Sequence, residues 1–275
     1  MSTDDRIGGL EAVDPRYRAL NDRALAVLGA DPRVARVELS GSVATGTADE
    51  WSDLDLHIIA RPEHYEALLA EWPSWLSDIT PTVFARTPIA PFVINTVTAD
   101  GLTFDLAIYS TETAPPMASS LPPPAPYVVG MMSTRRFAEV GDALEYAVVE
   151  QLRGLAGPFV SLVQREEHLR HLTGVGHLLG LLTTVFLAET NAPPPGKHWN
   201  RTFTAEQRDA AARLPPVSAT RDGILAFGLG IAELTVTRAR ALYPRYGLTW
   251  PDKLAAVTAE RLRTVLGIDA SHWLY

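Results

Sequence analysis

Cysteine is absent from the 275 residues, which excludes disulfides, thiolate zinc sites and thiol nucleophiles. An excess of basic residues is lacking too. Lys and Arg number 24 against 32 Asp and Glu, giving a formal net charge of −8 and a pI near 5.4. A broad, sequence-independent grip on a nucleic-acid backbone needs clustered Lys and Arg, so the balance argues against nucleic-acid partners. It suits a small cationic partner drawn into an acidic cleft. No apolar signal-peptide core follows Met1-Ser2-Thr3-Asp4-Asp5-Arg6. The longest apolar run, Leu178 to Ala188, falls short of the ~20 residues that a bilayer span needs. The expectation is a soluble, cytoplasmic protein with no membrane partner. Its hydrophobic fraction of 47% is ordinary for a chain with a real core.

Along the chain, composition and periodicity divide the sequence in two. Tyr17, Leu20, Ala24 and Leu28 recur at helical spacing after Asp14-Pro15. Val34 to Ser40 and Asp53 to Ile59 read as strands. Tyr65, Leu68, Leu69 and Trp72 read as one amphipathic helix from Pro62. Thr82 to Arg86, Val93 to Thr98 and Leu102 to Tyr109 are β-rich, with Ala99-Asp100-Gly101 as a hairpin turn between the last two. Six prolines between Pro115 and Pro126 leave little hydrogen-bond donor capacity and read as a stiff linker. Beyond it the pattern is helical almost throughout, with a division expected at Gly157-Pro158 inside Leu144 to Glu189 and a break at Pro193 to Gly196. The expected architecture is an α/β (α+β) head with a mixed sheet at 1–112, a linker at 113–126 and an α-helical bundle at 127–275.

The segment that carries chemistry is Leu39-Ser40-Gly41-Ser42, a polar turn, and Ser52-Asp53-Leu54-Asp55-Leu56. Strand alternation puts Asp53 and Asp55 on one face, about 7 Å apart. Two carboxylates so close repel unless a cation lies between them, and Mg²⁺ takes hard oxygen ligands while keeping places for waters and phosphates. Gly41 lets a ligand approach the backbone with no Cβ in the way. Ser42 adds a hydroxyl and an N–H at a helix start, where phosphate oxygens are favoured. A third acid, Asp105, is the lone charge in an otherwise apolar strand, and a buried Asp there needs a partner.

Gly-Ser, a spacer, Asp-x-Asp in a strand and a later strand-borne Asp resemble the signature of the DNA polymerase β nucleotidyltransferase superfamily. The most similar branch is that of the antibiotic nucleotidyltransferases, which act on aminoglycosides or lincosamides. The resemblance covers Val34 to Tyr109. It implies two Mg²⁺ ions and ATP or another NTP as co-substrate, with AMP passing to a hydroxyl of a small acceptor. It assigns Gly41 and Ser42 to the β- and γ-phosphates, Asp53 and Asp55 to both metals, and Asp105 to the metal beside the nucleophile. Asp105 is then the general base, with Glu166 or Glu167 of the helical part as its substitute.

Lys197, in Pro195-Gly196-Lys197-His198-Trp199, resembles a phosphate-approaching lysine of the same superfamily, although His198 interrupts the match. His57 shares the face of Asp55 and reads as a hydrogen-bonded edge residue. His168 and His171, in a polar block from Arg165 to His171, read as a solvated or cleft-facing surface. Two other functions fit the same chain: nucleotidyl transfer to tRNA or protein, and nucleotide binding without catalysis. The presence of all three acids argues against the last.

Overall fold

The computed structural model describes residues 8–87, 92–114, 137–193 and 197–275. The chain divides into two compact units, Met1–Tyr127 and Val128–Tyr275. Apart from Thr113 and Ala114, the expected linker lies outside the described residues, as does most of the break at Pro193 to Gly196.

The first unit is a five-stranded mixed sheet with helices. In chain order come α1 (Arg16–Ala30), β1 (Val34–Ser40), α2 (Gly41–Thr45) and β2 (Leu54–Ala60). Then follow α3 (Tyr65–Ala70), α4 (Trp72–Ile79), β3 (Thr82–Arg86), β4 (Val93–Thr98) and β5 (Thr103–Ser110). The strand order is β1-β2-β5-β4-β3, with β2 and β5 parallel and the other neighbours antiparallel. The single helix expected from Pro62 is instead a 3₁₀ turn followed by two short helices. Pro73 lacks the N–H to continue from α3, and its fixed φ suits the first turn of a new helix.

Alternation decides which face of this sheet is filled. Leu54, Leu56 and Ile58 of β2, and Phe104, Leu106 and Ile108 of β5, are all buried in one core with Leu20, Ala24 and Leu28 of α1 and Leu68, Leu76 and Ile79 of the later helices. Each such Leu, Ile or Phe side chain contributes roughly 1.5–3 kcal/mol by leaving water. Asp55 and His57, at the intervening positions of β2, and Asp105 of β5 therefore project from the opposite face. The hydrophobic layer thus anchors the two central strands while their polar positions stay available.

The second unit is helical: α5 (Val140–Gly154), α6 (Val160–Gln164), α7 (His168–Thr190), α8 (Trp199–Thr202), α9 (Ala205–Ala212), α10 (Arg221–Leu242), α11 (Asp252–Arg261) and α12 (Ser271–Leu274). Gly157-Pro158 does not break the chain as expected. A π-helical turn, Leu155–Phe159, absorbs the proline between α5 and α6. The break falls at Glu166, whose φ of 55° is left-handed. Arg165 to Glu167 accordingly form a turn between α6 and α7, and only His168 onwards is helical. Buried polar groups are matched across helices: Gln207 donates to Glu189 at 2.7 Å, and Arg238 donates to the other oxygen of Glu189 at 2.7 Å.

At 23 residues, α7 is long and apolar enough to cross a membrane by length and composition. Its face carrying Leu181, Leu182, Val185 and Phe186 is buried within the unit. His171 of α7 is also buried, edge-on to Phe159 at 6.0 Å, which corrects the solvated-surface expectation. Its Nε2 and that of His168 are buried with no hydrogen-bond partner among the described residues. Burial pushes the His171 imidazole below its ordinary 6.5. The same cause lowers His177 on that helix, with Arg153 adding to it and Glu150 opposing. Above about pH 6.5 these rings are neutral in both folded and unfolded chains. Below it the unfolded chain takes protons that the folded helix refuses, so stability is lost as pH drops. Hydrogen exchange of α7 amides is expected to be less protected at pH 5.5 than at pH 7.5, and His171→Leu should reduce that difference. Equal protection in both proteins would rule this out.

Candidate active site

The site begins where β1 ends. Gly41 follows the strand with φ +59°, and a Cβ placed on it would stand 1.9 Å from Oδ2 of Asp55. The position therefore needs glycine for two reasons, a left-handed backbone and the nearness of a carboxylate. The Thr45 hydroxyl donates to the carbonyls of Gly41 at 3.1 Å and Ser42 at 3.2 Å, closing the short α2. Gly46 then turns the chain out with φ +71°.

A side-chain knot delivers the chain into β2. Asp49 Oδ1 accepts from Trp51 N at 3.0 Å and from the Ser52 hydroxyl at 2.9 Å, while Ser52 Oγ accepts from Asp49 N at 3.0 Å. Asp53 is exposed and lies one residue before β2, which begins at Leu54 rather than at Asp53 as expected.

Register places the remaining groups in one row. Ser40 pairs with Asp55, Asp55 with Asp105, Asp105 with Asn95, and Asn95 with Arg86, across all five strands. Adjacent members of such a row sit about 5 Å apart in the pairing direction. Burial, and then the like charges of Asp53 and Asp105, push the Asp55 carboxyl up to about 7. Asn95, which is 9% exposed, donates through Nδ2 to Asp105 Oδ2 at 2.5 Å. His57 Nε2 lies 2.9 Å from Ser40 Oγ, and its ring meets Tyr109 edge-on at 5.0 Å. It is hydrogen-bonded as expected, but on an interior strand instead of an edge.

The donor set is all oxygen and anionic, which fits a hard divalent cation. Among the described residues no group of three or more His, Asp or Glu side chains is placed to hold a metal ion, so the structure does not bring Asp53, Asp55 and Asp105 together as one three-acid set. Mg²⁺ does not require one, because it binds through one or two carboxylates and completes its shell with water and phosphate.

Glu166 and Lys197 belong to the second unit. Glu166 is the exposed, left-handed residue between α6 and α7, and Lys197 is exposed in the turn before α8. The two residues that sequence reading missed are Ser40 and Asn95. Asn95 was within reach, since a hairpin centred on Asp100 pairs positions 95 and 105.

Residues 23–99 match the family model described as nucleotidyltransferase domain. The segment holds Gly41, Ser42, Asp53, Asp55 and Asn95 and ends before Asp105. No curated protein matches the chain. Among solved structures, the crystal structure of an aminoglycoside 6-adenyltransferase from Bacillus subtilis is similar at 14% identity, covering 88% of this chain and 95% of that one with a TM-score of 0.30. The glycine turn and the Asp53–Asp55 pair both lie inside the matched segment, so the part of the head that carries the site is what resembles a nucleotidyltransferase domain.

Proposed function

We propose that the chain is a Mg²⁺-dependent nucleotidyltransferase that moves AMP from ATP, or the equivalent from another NTP, to a hydroxyl of a small acceptor. The observation that carries the reading is the paired register of Asp55 and Asp105 beside a glycine turn packed on Asp55. In it, the Gly41-Ser42 turn receives the β- and γ-phosphates, Asp53 and Asp55 hold the cations, and Asp105 faces the acceptor. Asp53, Asp55 and Asp105 would hold two Mg²⁺ ions, whose charge would lower the pKa of the acceptor hydroxyl and offset that of the leaving pyrophosphate. The hydroxyl oxygen forms a bond to the α-phosphorus as the bond from that phosphorus to the bridging oxygen breaks. Pyrophosphate leaves with the electron pair, and the hydroxyl proton passes to Asp105. Glu166 is the alternative base from the helical unit, and Lys197 the candidate for added phosphate charge. This assignment goes with a head at 1–112, a linker at 113–126 and a helical domain at 127–275.

The net charge of −8 favours a cationic, hydroxylated acceptor of the aminoglycoside kind. A cytoplasmic location, where NTPs are supplied, goes with this reading. Pyrophosphate release measured with Mg²⁺ and each NTP, against a panel of aminoglycosides and lincosamides, tests the proposal. Acceptor-dependent release is expected, falling at least about 1,000-fold in Asp53→Ala/Asp55→Ala. Incorporation of labelled nucleotide into RNA or protein instead would move the acceptor to a macromolecule. Mg²⁺-dependent NTP binding with no release against any acceptor would favour a binding module.

A further inference from the structure

The row that joins the acids does not stop at them. On β4, directly opposite Asp105, stands Asn95, buried and donating its side-chain amide to Asp105 Oδ2 at 2.5 Å. The other polar side chains of this strand bond away from the acid row. Thr96 Oγ1 donates to the Phe104 carbonyl at 2.6 Å, and Thr98 Oγ1 accepts from Leu102 N at 2.9 Å and donates to Asp100 Oδ1 in the hairpin turn at 2.6 Å. Asn95 alone among these three directs its bond to an acid of the site.

We infer that Asn95 is a positioning residue for nucleotidyl transfer, acting through Asp105; the inference rests on the function proposed above. A carboxylate turns broadly about its Cβ–Cγ bond, so an acid that must meet a cation and a hydroxyl at once needs its plane fixed. The amide of Asn95 sets that plane from the strand next door, on the rigid part of the sheet. Its neutrality matters as much as its reach. An Arg or Lys donor would hold the carboxylate equally well but would cancel the charge that attracts a divalent cation, whereas an amide orients it and leaves the charge in place.

The test compares wild type with Asn95→Ala, Asn95→His and Asp105→Ala, and with the double variant Asn95→Ala/Asp105→Ala. One readout is Mn²⁺ affinity, by electron paramagnetic resonance, of protein loaded with an α,β-methylene ATP analogue. The other is the split of turnover into kcat and KM. Asn95→Ala should lower kcat about 10- to 100-fold, the usual consequence of a misplaced reacting group. It should weaken Mn²⁺ binding severalfold and leave KM for NTP within about threefold. Asn95→His, which keeps a ring N–H near the same place, should recover part of both losses. The double variant should be no worse than Asp105→Ala, because two residues acting as one unit are not additive. Unchanged Mn²⁺ affinity and kcat in folded Asn95→Ala, or additive losses in the double variant, would overturn the inference alone. If Asn95→Ala fails to fold, Asn95→His decides, since a His variant as active as Asp105→Ala denies the positioning role. A wild type that neither binds Mn²⁺ with the analogue nor releases pyrophosphate would remove the transfer reading, and this inference with it.

Discussion

Gly41→Ala is expected to reduce acceptor-dependent pyrophosphate release by about 100-fold or more, and to destabilise the head by about 1–3 kcal/mol. A Cβ at this position would meet Asp55 Oδ2 at 1.9 Å and its Cγ at 2.9 Å, on a backbone held at φ +59°. The backbone conformation alone costs roughly 1–2 kcal/mol for an L-residue. The collision adds a functional loss, because relief requires the Asp55 carboxylate to leave its place in the acid row. Gly46→Ala separates the two effects. Gly46 is also left-handed, at φ +71°, but a Cβ there has nothing within 4 Å. It should lose comparable stability while keeping activity within about tenfold of wild type. Thermal unfolding and pyrophosphate release on the two variants are sufficient. If they lose activity to the same extent, strain in the turn, and not displacement of Asp55, explains the glycine.

Much of this site was legible before any coordinates. Asp55 and Asp105 interrupt apolar strands, and a charge in such a place must be held by something. Gly41-Ser42 stands at the end of a strand, where a turn is obligatory. The order of the strands was a different matter. Local pattern says that Val34 to Ser40 and Leu102 to Tyr109 are extended, but not that β2 lies between β1 and β5, because pairing partners are chosen by a core shared across the whole unit. For that reason the sequence pattern leaves the interior position of His57 hidden. The helical unit shows the opposite failure. Gly157-Pro158 looked like a stop, yet a π turn accommodated it, while Glu166, a residue with no reputation for left-handed backbone, became the break. Nor does periodicity reveal that His171 faces Phe159 inside the core, since His is as common on the wet face of a helix as on the dry one.

Without divalent cation, the head should be less stable at pH 8 than at pH 5.5, the reverse of the helical unit. Asp55 has its carboxyl raised from 3.8 to about 7, first by burial and then by Asp53 and Asp105. A group raised in the folded state contributes stability that is fully present below its unfolded value and is lost as pH climbs through the folded one. For Asp55 the loss therefore runs from about pH 4 to just above pH 7, with a ceiling of about 4 kcal/mol at 1.36 kcal/mol per decade. Solvent screening of the partly exposed side chain brings the effect below that ceiling. Mg²⁺ competes with the proton for the same oxygens, so its stabilising effect should be large at pH 8 and small at pH 5.5. Asp55→Asn removes the acid that titrates: it should abolish the loss of stability with rising pH, leave the opposite dependence of His57, whose burial holds its imidazole below 6.5, stabilise the cation-free head at pH 8 and abolish turnover together. Hydrogen exchange of the β2 and β5 amides, with and without MgCl₂ at the two pH values, reads these effects in the head alone. Protection that rises with pH in cation-free wild type would mean that Asp55 is not the strained acid of the row. Protection that falls with pH and returns on adding Mg²⁺ would mean that the sheet carries an electrostatic penalty which its hydrophobic face sustains and its cation relieves.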